Sequence, residues 1–201
     1  MRLSLPLLAV LTLIVACSPI GPEGISEIES HPLHRRVDPF IGTGGHGHTY
    51  PGATAPFGMV QLSPDTRLEG WDGCGGYHYT DSVIFGFSHT HLQGTGVSDY
   101  GDILFAPTNS QTKTGNNWGE RYSSVFQKEN ETAHAGYYAV TLDDHNMRVQ
   151  LTTTPRVGIH HYALENPEDS LTLFIDMAHR DELVEYLSLI HISEPTRPSS
   201  I

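Results

Sequence analysis

At 201 residues the chain is long enough to bury a core of its own, and its length fits one domain or at most two. Lys and Arg total 11 against 23 Asp and Glu, a net charge of -12. An acidic balance of that size excludes nucleic acid as a partner, because its phosphates would be repelled.

The chain opens on a targeting segment, residues 1–17, which lies outside the fold. Arg2 supplies the positive start, and the apolar run Leu7 to Val15 is too short to span a bilayer comfortably as a helix. Ile14-Val15-Ala16-Cys17 places aliphatic and small residues before a cysteine, the form of a bacterial lipoprotein cleavage site. Cys17 is then the lipidation site, and the expectation is an exported outer-membrane lipoprotein that meets the membrane only through its lipid anchor. The alternative is an ordinary secretory signal with an incidental cysteine. The sequence holds two cysteines, so lipid on Cys17 leaves Cys74 outside any disulfide. Residues 18–36, with Pro19, Gly21, Pro22 and Gly24 followed by Glu23, Glu27 and Glu29, read as a flexible tether with little to bury.

From Val37 onward the pattern is β. Short apolar runs cover 82–87 and 103–106. Alternating runs cover 137–142 and 147–153, and Asp143-Asp144-His145-Asn146 between them is turn chemistry, so the two form a hairpin. Residues 156–164 alternate again, with Val157 and Ile159 on one face. Asn166-Pro167-Glu168-Asp169 breaks that run before a last strand at 171–177. Strand starts about ten residues apart predict an all-β chain folded as an antiparallel β-sandwich. No segment before Asp181 shows helical periodicity over three turns. Residues 187–197, Leu-Ser-Leu-Ile-His-Ile-Ser-Glu-Pro-Thr-Arg, match the translation of a sequencing-library adapter. Residues 187–201 are therefore expected to be a non-native tail, and the folded domain to be 37–186 of a longer protein.

Three glycine-rich segments carry the candidate chemistry. In the first, Gly42, Gly44 and Gly47 satisfy G-x-G-x-x-G, but Pro51 and Pro56 follow where a nucleotide site needs a helix to open. A tight loop whose backbone approaches a ligand or a neighbouring element fits better. In the second, Gly70-Trp71-Asp72-Gly73 sets an aromatic face beside a carboxylate. That pairing suits a sugar, whose C–H face stacks on the ring while its hydroxyls donate to the acid. Trp71 as a core plug and Asp72 as a turn residue is the competing reading. In the third, Gly86 to Asp102, His89 and His91 are two apart and would share one face of a strand, as would His46 and His48. Such histidines can bind zinc, given a third ligand, or they can brace adjacent loops. Asp99 and Asp102 can serve as general acid and base, or can cap the turn at Tyr100-Gly101.

Taken in order, Val37-Asp38-Pro39-Phe40-Ile41-Gly42-Thr43-Gly44, Pro56-Phe57-Gly58-Met59-Val60-Gln61-Leu62-Ser63-Pro64-Asp65, Gly76-Tyr77-His78-Tyr79 and Gly86-Phe87-Ser88-His89-Thr90-His91-Leu92, with Gly94-Thr95-Gly96 and Asp99-Tyr100-Gly101-Asp102, resemble the N-terminal domain of glycoside hydrolase family 92. The resemblance covers about Val37 to Tyr186. It implies an exo-acting, calcium-dependent, inverting α-mannosidase of the kind found in gut Bacteroidetes, acting on N-glycans or mannan. It also implies a β-sandwich followed by a larger (α/α)6 helical domain that is missing here. The acid, the base and the principal calcium ligands would come from that domain, so this chain carries no catalytic residue and no metal ligand of its own. By position Trp71 and Asp72 resemble the sugar contacts, Gly44 and Gly45 the close-approach backbone, and His89, His91 and Asp99 residues behind the pocket or at the domain interface. Gly75 and Gln93 stand where serines are expected. The implied partners are a mannose-containing glycan and the helical domain, which calls for an exposed apolar docking face. A non-catalytic carbohydrate-binding module is the alternative function.

Overall fold

The computed structural model describes residues 36–67, 70–94, 96–97, 99–109, 121–177 and 179. The targeting segment, Cys17, nearly all of the tether and the 187–201 tail lie outside the described residues. In chain order the strands are β1 (Ala53–Thr54), β2 (Gln61–Asp65), β3 (Val83–Ile84), β4 (Gly86–Ser88), β5 (Leu104–Thr108), β6 (Ser124–Val125), β7 (Thr132–His134), β8 (Tyr137–Leu142), β9 (Met147–Thr153), β10 (Gly158–Leu164) and β11 (Thr172–Asp176). They form a five-stranded sheet in the order β1-β2-β4-β5-β11, a four-stranded sheet in the order β10-β9-β8-β7, and a small β3-β6 pair. Every pairing is antiparallel, as the strand spacing predicts.

The β8–β9 hairpin forms where its alternation places it. Leu142 pairs with Met147, and the register runs out to Tyr137 against Thr152. The turn between them is a single 3-10 turn, Asp143–His145, closed by Asn146 at φ 46°. Asparagine enters this left-handed region more readily than other side chains do, which is why it can end the turn. The inward residues Tyr138, Val140, Leu142, Met147, Val149 and Leu151 meet Leu62 and Phe87 of the larger sheet to form the main core. Each such side chain contributes roughly 1.5–3 kcal/mol by leaving water. On the opposite face of the larger sheet, Leu104, Ala106 and Tyr122 pack with Phe85 and Phe174.

Three features depart from the expected strands. The run 82–87 breaks at Phe85, whose N–H donates to the Asp65 carbonyl at 2.8 Å, so its two halves join different sheets. β2 is hidden in the sequence by Pro64 and by burial of both its faces, which erases the alternation. The proline is tolerated because β1 pairs only with Gln61 and Leu62, leaving β2 an edge at Pro64 on that side. β10 keeps its period, with the apolar pair outward: Val157 and Ile159 are exposed, while His160, Tyr162 and Leu164 are half-buried.

An apolar surface remains uncovered. Ile175 is paired with Phe105 and Phe105 with Phe87, so all three lie on one face of the larger sheet. Phe87 is fully buried, yet Ile175 is 51% exposed, and Leu171, Leu173 and Met177 are exposed beside it along β11.

Candidate functional site

The glycine loops converge. In the first, Gly47 is held so close that a Cβ on it would lie 1.8 Å from the Gly42 carbonyl oxygen, and only glycine can close this turn. The loop is tied to the Gly76–Tyr79 segment by two bonds. The Tyr79 N–H donates to the Thr43 carbonyl at 2.8 Å, and His78 Nε2 lies 3.0 Å from the Gly45 carbonyl. The Thr80 N–H donates to His78 Nδ1 at 3.3 Å, so Nε2 carries the proton and is the donor to Gly45. Gly45 sits at φ 60°, and a Cβ added to it would meet nothing within 4 Å. The nearest atom to such a Cβ at Gly44 is Tyr79 Cβ, at 3.4 Å. Both glycines are exposed, and Gly45 faces open space.

Trp71 is not a core plug, since it is 65% exposed. Its ring is nonetheless fixed. It meets the His48 ring edge-on at 5.2 Å, and it lies over Gly96, where a Cβ would sit 2.3 Å from Trp71 Cη2. The Gly86–Asp102 stretch thus supplies the ledge under the tryptophan. Beside it, Asp72 Oδ1 pairs with His46 Nδ1 at 2.8 Å. That hydrogen bond, above all, lowers the Asp72 pKa and keeps the group a carboxylate able to accept hydroxyl protons. Arg67 holds the segment from behind, with Nη1 donating to the Asp72 carbonyl at 3.2 Å while Nε donates to Asp81 at 2.9 Å. A Cβ at Gly75 would lie 2.9 Å from the Leu92 carbonyl oxygen, so the serine expected there has no room.

His89 and His91 part company because the chain leaves β4 at Ser88. His91 turns inward: its Nδ1–H donates to the Gln61 carbonyl at 2.7 Å, and its Nε2 lies 3.2 Å from Ser88 Oγ and 3.3 Å from Asp65 Oδ1. Asp65, 2% exposed, accepts the Ser88 N–H at 2.8 Å through Oδ2, and His179 Nε2 lies 3.7 Å from its Oδ1. Burial works against the Asp65 carboxylate, but the His91 and His179 imidazoles beside it overcome that penalty and hold its pKa far below the usual range. His89 instead donates Nδ1–H to the Ile103 carbonyl at 3.1 Å and rests against Phe105 and His160. Burial lowers the pKa of His89, and burial with the neighbouring His89 lowers that of His160 to about 4. Asp99 accepts the N–H of its neighbour Tyr100 at 2.8 Å, and Asp102 accepts from Thr90 Oγ1 at 2.9 Å. Both carboxylates act here as turn and loop braces. His46, His48, His89 and His91 do not gather, and among the described residues no three of His, Cys, Asp or Glu are placed to share a metal ion.

The arrangement can bind and orient a polyol: an aromatic platform, an ionised acceptor, an imidazole and exposed glycine backbone lie on one rim. Several of its working parts show no chemistry of their own in the sequence. Asp65 ends a proline-bearing strand, His78 and Arg67 lie amid polar turns, and the role of Gly96 emerges only once Trp71 is seen lying on it.

Residues 36–193 match the family described as the glycosyl hydrolase family 92 N-terminal domain. A family GH92 alpha-mannosidase from Bacteroides thetaiotaomicron, solved in complex with mannoimidazole, is 38% identical, with a TM-score of 0.68 over 74% of this chain and 20% of its own. A second protein of that organism, a family GH92 inverting mannosidase, is 28% identical, with a TM-score of 0.59 over 70% of this chain and 19% of its own. An uncharacterised secreted glycosidase of Arthroderma benhamiae is 30% identical over 138 residues, which are 64% of this chain and 17% of that protein. The chain thus spans about a fifth of the length of the relatives it matches.

Proposed function

Because this chain belongs to glycosyl hydrolase family 92, as the N-terminal domain of that family, we propose that it forms one wall of the terminal-mannose pocket of an exported, inverting α-mannosidase. The observation that carries this reading is Trp71, 65% exposed yet held in place over Gly96, with the Asp72–His46 pair at its side. Trp71 stacks on the apolar face of the pyranose, and Asp72 accepts hydrogen bonds from its hydroxyls. The open backbone at Gly44 and Gly45 lets the sugar come close.

The chemistry belongs to the helical part of the parent enzyme. Inversion needs an acid to protonate the leaving oxygen and a base to activate water from the opposite side, with the two carboxyl groups about 6.5–9.5 Å apart. In this reading Asp99 and Asp102 brace the loop through a backbone and a hydroxyl donor, and the proton donor is not among them. Calcium takes six to eight oxygen ligands. The Trp71–Asp72 rim offers one carboxylate, already paired with an imidazole, and does not fit that ion. Calcium would be held by the helical part. That part docks on the uncovered apolar surface of β11. Export and anchoring run through Cys17, and loss of lipid labelling in Cys17→Ser is the matching check.

The test of the pocket is direct. The purified chain should show no hydrolysis of an aryl α-mannoside, while methyl α-mannoside should shift the Trp71 indole resonance. Turnover by this chain alone would overturn the division of labour, and an unmoved Trp71 resonance would overturn the pocket.

A further inference from the structure

We propose that His89 and His160 form a two-imidazole site for a late first-row divalent ion, Zn2+ or Cu2+, separate from the Trp71–Asp72 rim. The two rings come from distant points of the chain, one just past β4 and one on β10, and their Nε2 atoms lie 3.2 Å apart. A tetrahedral ion with N bonds of about 2.0–2.1 Å sets its ligand nitrogens about 3.3 Å from one another. The existing separation matches that spacing, and the rings need only turn so that both Nε2 lone pairs aim at an ion beside the line that joins them.

The hydrogen bonds on the far side of each ring decide where the lone pairs point. His89 Nδ1 faces the Ile103 carbonyl at 3.1 Å. A carbonyl only accepts, so Nδ1 holds the proton and His89 Nε2 presents a lone pair toward His160. His160 Nδ1 lies 2.8 Å from Tyr162 Oη, a group that can donate or accept. Without an ion, Tyr162 donates to His160 Nδ1, and the His160 Nε2–H bridges to His89. With an ion, the His160 proton resides on Nδ1 and is given to Tyr162 Oη, and the ion takes the place of the bridging proton. The protein gains and loses no proton overall. Both imidazoles then donate their outer N–H to an oxygen, as metal-ligating histidines do.

The surroundings suit this use. Phe105 flanks both rings, at 4.8 Å from His89 and 5.4 Å from His160. Gly158 packs its bare Cα beside them, where a Cβ would stand 3.3 Å from His89 Nε2. Water would complete the coordination. A pair of imidazoles selects zinc and copper over calcium and magnesium, which prefer oxygen.

The experiment uses the full chain, free of metal, titrated with ZnCl2 and with CuCl2. With the histidines 15N-labelled, zinc should convert His160 from the Nε2–H to the Nδ1–H tautomer, and the copper spectrum should show two imidazole nitrogens. His89→Gln and His160→Gln should each weaken binding by at least about tenfold, a shift of roughly 1.4 kcal/mol or more. Tyr162→Phe, which removes the outer acceptor alone, should weaken it by about tenfold. His161→Gln, on the same strand but facing Gln150, should leave it unchanged. An unmoved His160 tautomer, a one-nitrogen copper spectrum, or undiminished affinity in both glutamine variants would overturn the site. The tautomer readout needs no variant, so poor folding of either one leaves the proposal open to refutation.

Discussion

Asp65→Asn tests whether the Gly86–Asp102 loop is held from below by a buried charge. Asparagine has the shape of aspartate and can keep its bond to the Ser88 N–H, now 2.8 Å long. What is removed is the charge that His91 Nε2 faces at 3.3 Å and His179 Nε2 at 3.7 Å, in a site 2% exposed. Removing one member of a buried ion pair costs about 3–5 kcal/mol. The surviving Ser88 bond places this variant near the lower end, about 3 kcal/mol, or a melting point lower by roughly 6–12 °C for a domain of this size. The sign with pH follows from the lowered Asp65 pKa. The unfolded chain takes up a proton on Asp65 near pH 4, whereas the folded chain resists doing so until far lower pH. The contribution of Asp65 is therefore complete above about pH 4 and declines as the pH falls below it. Urea melts of both proteins at pH 7 and pH 3 measure this. A loss under about 1 kcal/mol at pH 7, or a difference between the proteins that does not narrow at pH 3, would refute the reasoning.

Further perturbations separate binding from folding. Trp71→Ala should abolish the mannoside-induced resonance shifts of the rim while changing stability by no more than about 0.5 kcal/mol, because the ring is largely exposed. Gly96→Ala should reproduce that loss without touching the sugar, since its Cβ would occupy the place of the ring, and intact binding would show that the ledge is dispensable. Gly47→Ala should destabilise by about 3 kcal/mol or more, because its Cβ would meet backbone oxygen that cannot move aside, and thermal melting will read it. Glu131→Ala should cost about 3–5 kcal/mol in a urea melt. The side chain is 1% exposed and accepts from Tyr77 and Tyr138 hydroxyls and from Lys128, so its removal strands the two tyrosine donors and leaves Lys128 only the Tyr77 hydroxyl.

The fold is most legible where one face of a strand meets the core and the other meets water. β8 and β9 have their predicted limits for that reason, and Asn146 marks their turn. Legibility fails where both faces are covered or where pairing is brief. β2 is buried along nearly its whole length and carries a proline, so neither period nor propensity reveals it. β3 and β4 read as one strand because a run of apolar residues contains no mark of a change of sheet. The outward apolar pair of β10 has a similar cause: Ile159 is the more apolar residue, but His160 is the one that finds partners, in Tyr162 and His89. Hydrogen bonding can draw an imidazole inward against the hydrophobic pattern, and no periodicity count registers that.

The site follows the same logic at closer range. Trp71 and Asp72 stand out in the sequence because an aromatic beside an acid among glycines suits a sugar, although a core plug and a turn residue fit the same pattern. What makes them a site lies elsewhere. His46 fixes the charge of Asp72, Gly96 fixes the plane of Trp71, and His78 fixes the carbonyl of Gly45. Gly96 and His46 are far from Trp71 and Asp72 in the chain, and each support is an ordinary residue until the loops meet. The histidines and aspartates of Gly86 to Asp102 suggest catalysis through their density alone. Their density has a mechanical cause. A loop that leaves β4 after Ser88 and returns at β5 has many backbone groups without a sheet partner. Thr90 Oγ1 accepts the Asp102 N–H and donates to the Asp102 carboxylate, His89 donates to the Ile103 carbonyl, and Gln61 Oε1 accepts the His91 N–H. Gly96 lies on that loop, and the tryptophan rests on Gly96. Substitutions inside this loop that spare Gly96 should therefore alter sugar binding in proportion to the order they remove from Trp71, whichever hydrogen bond they break.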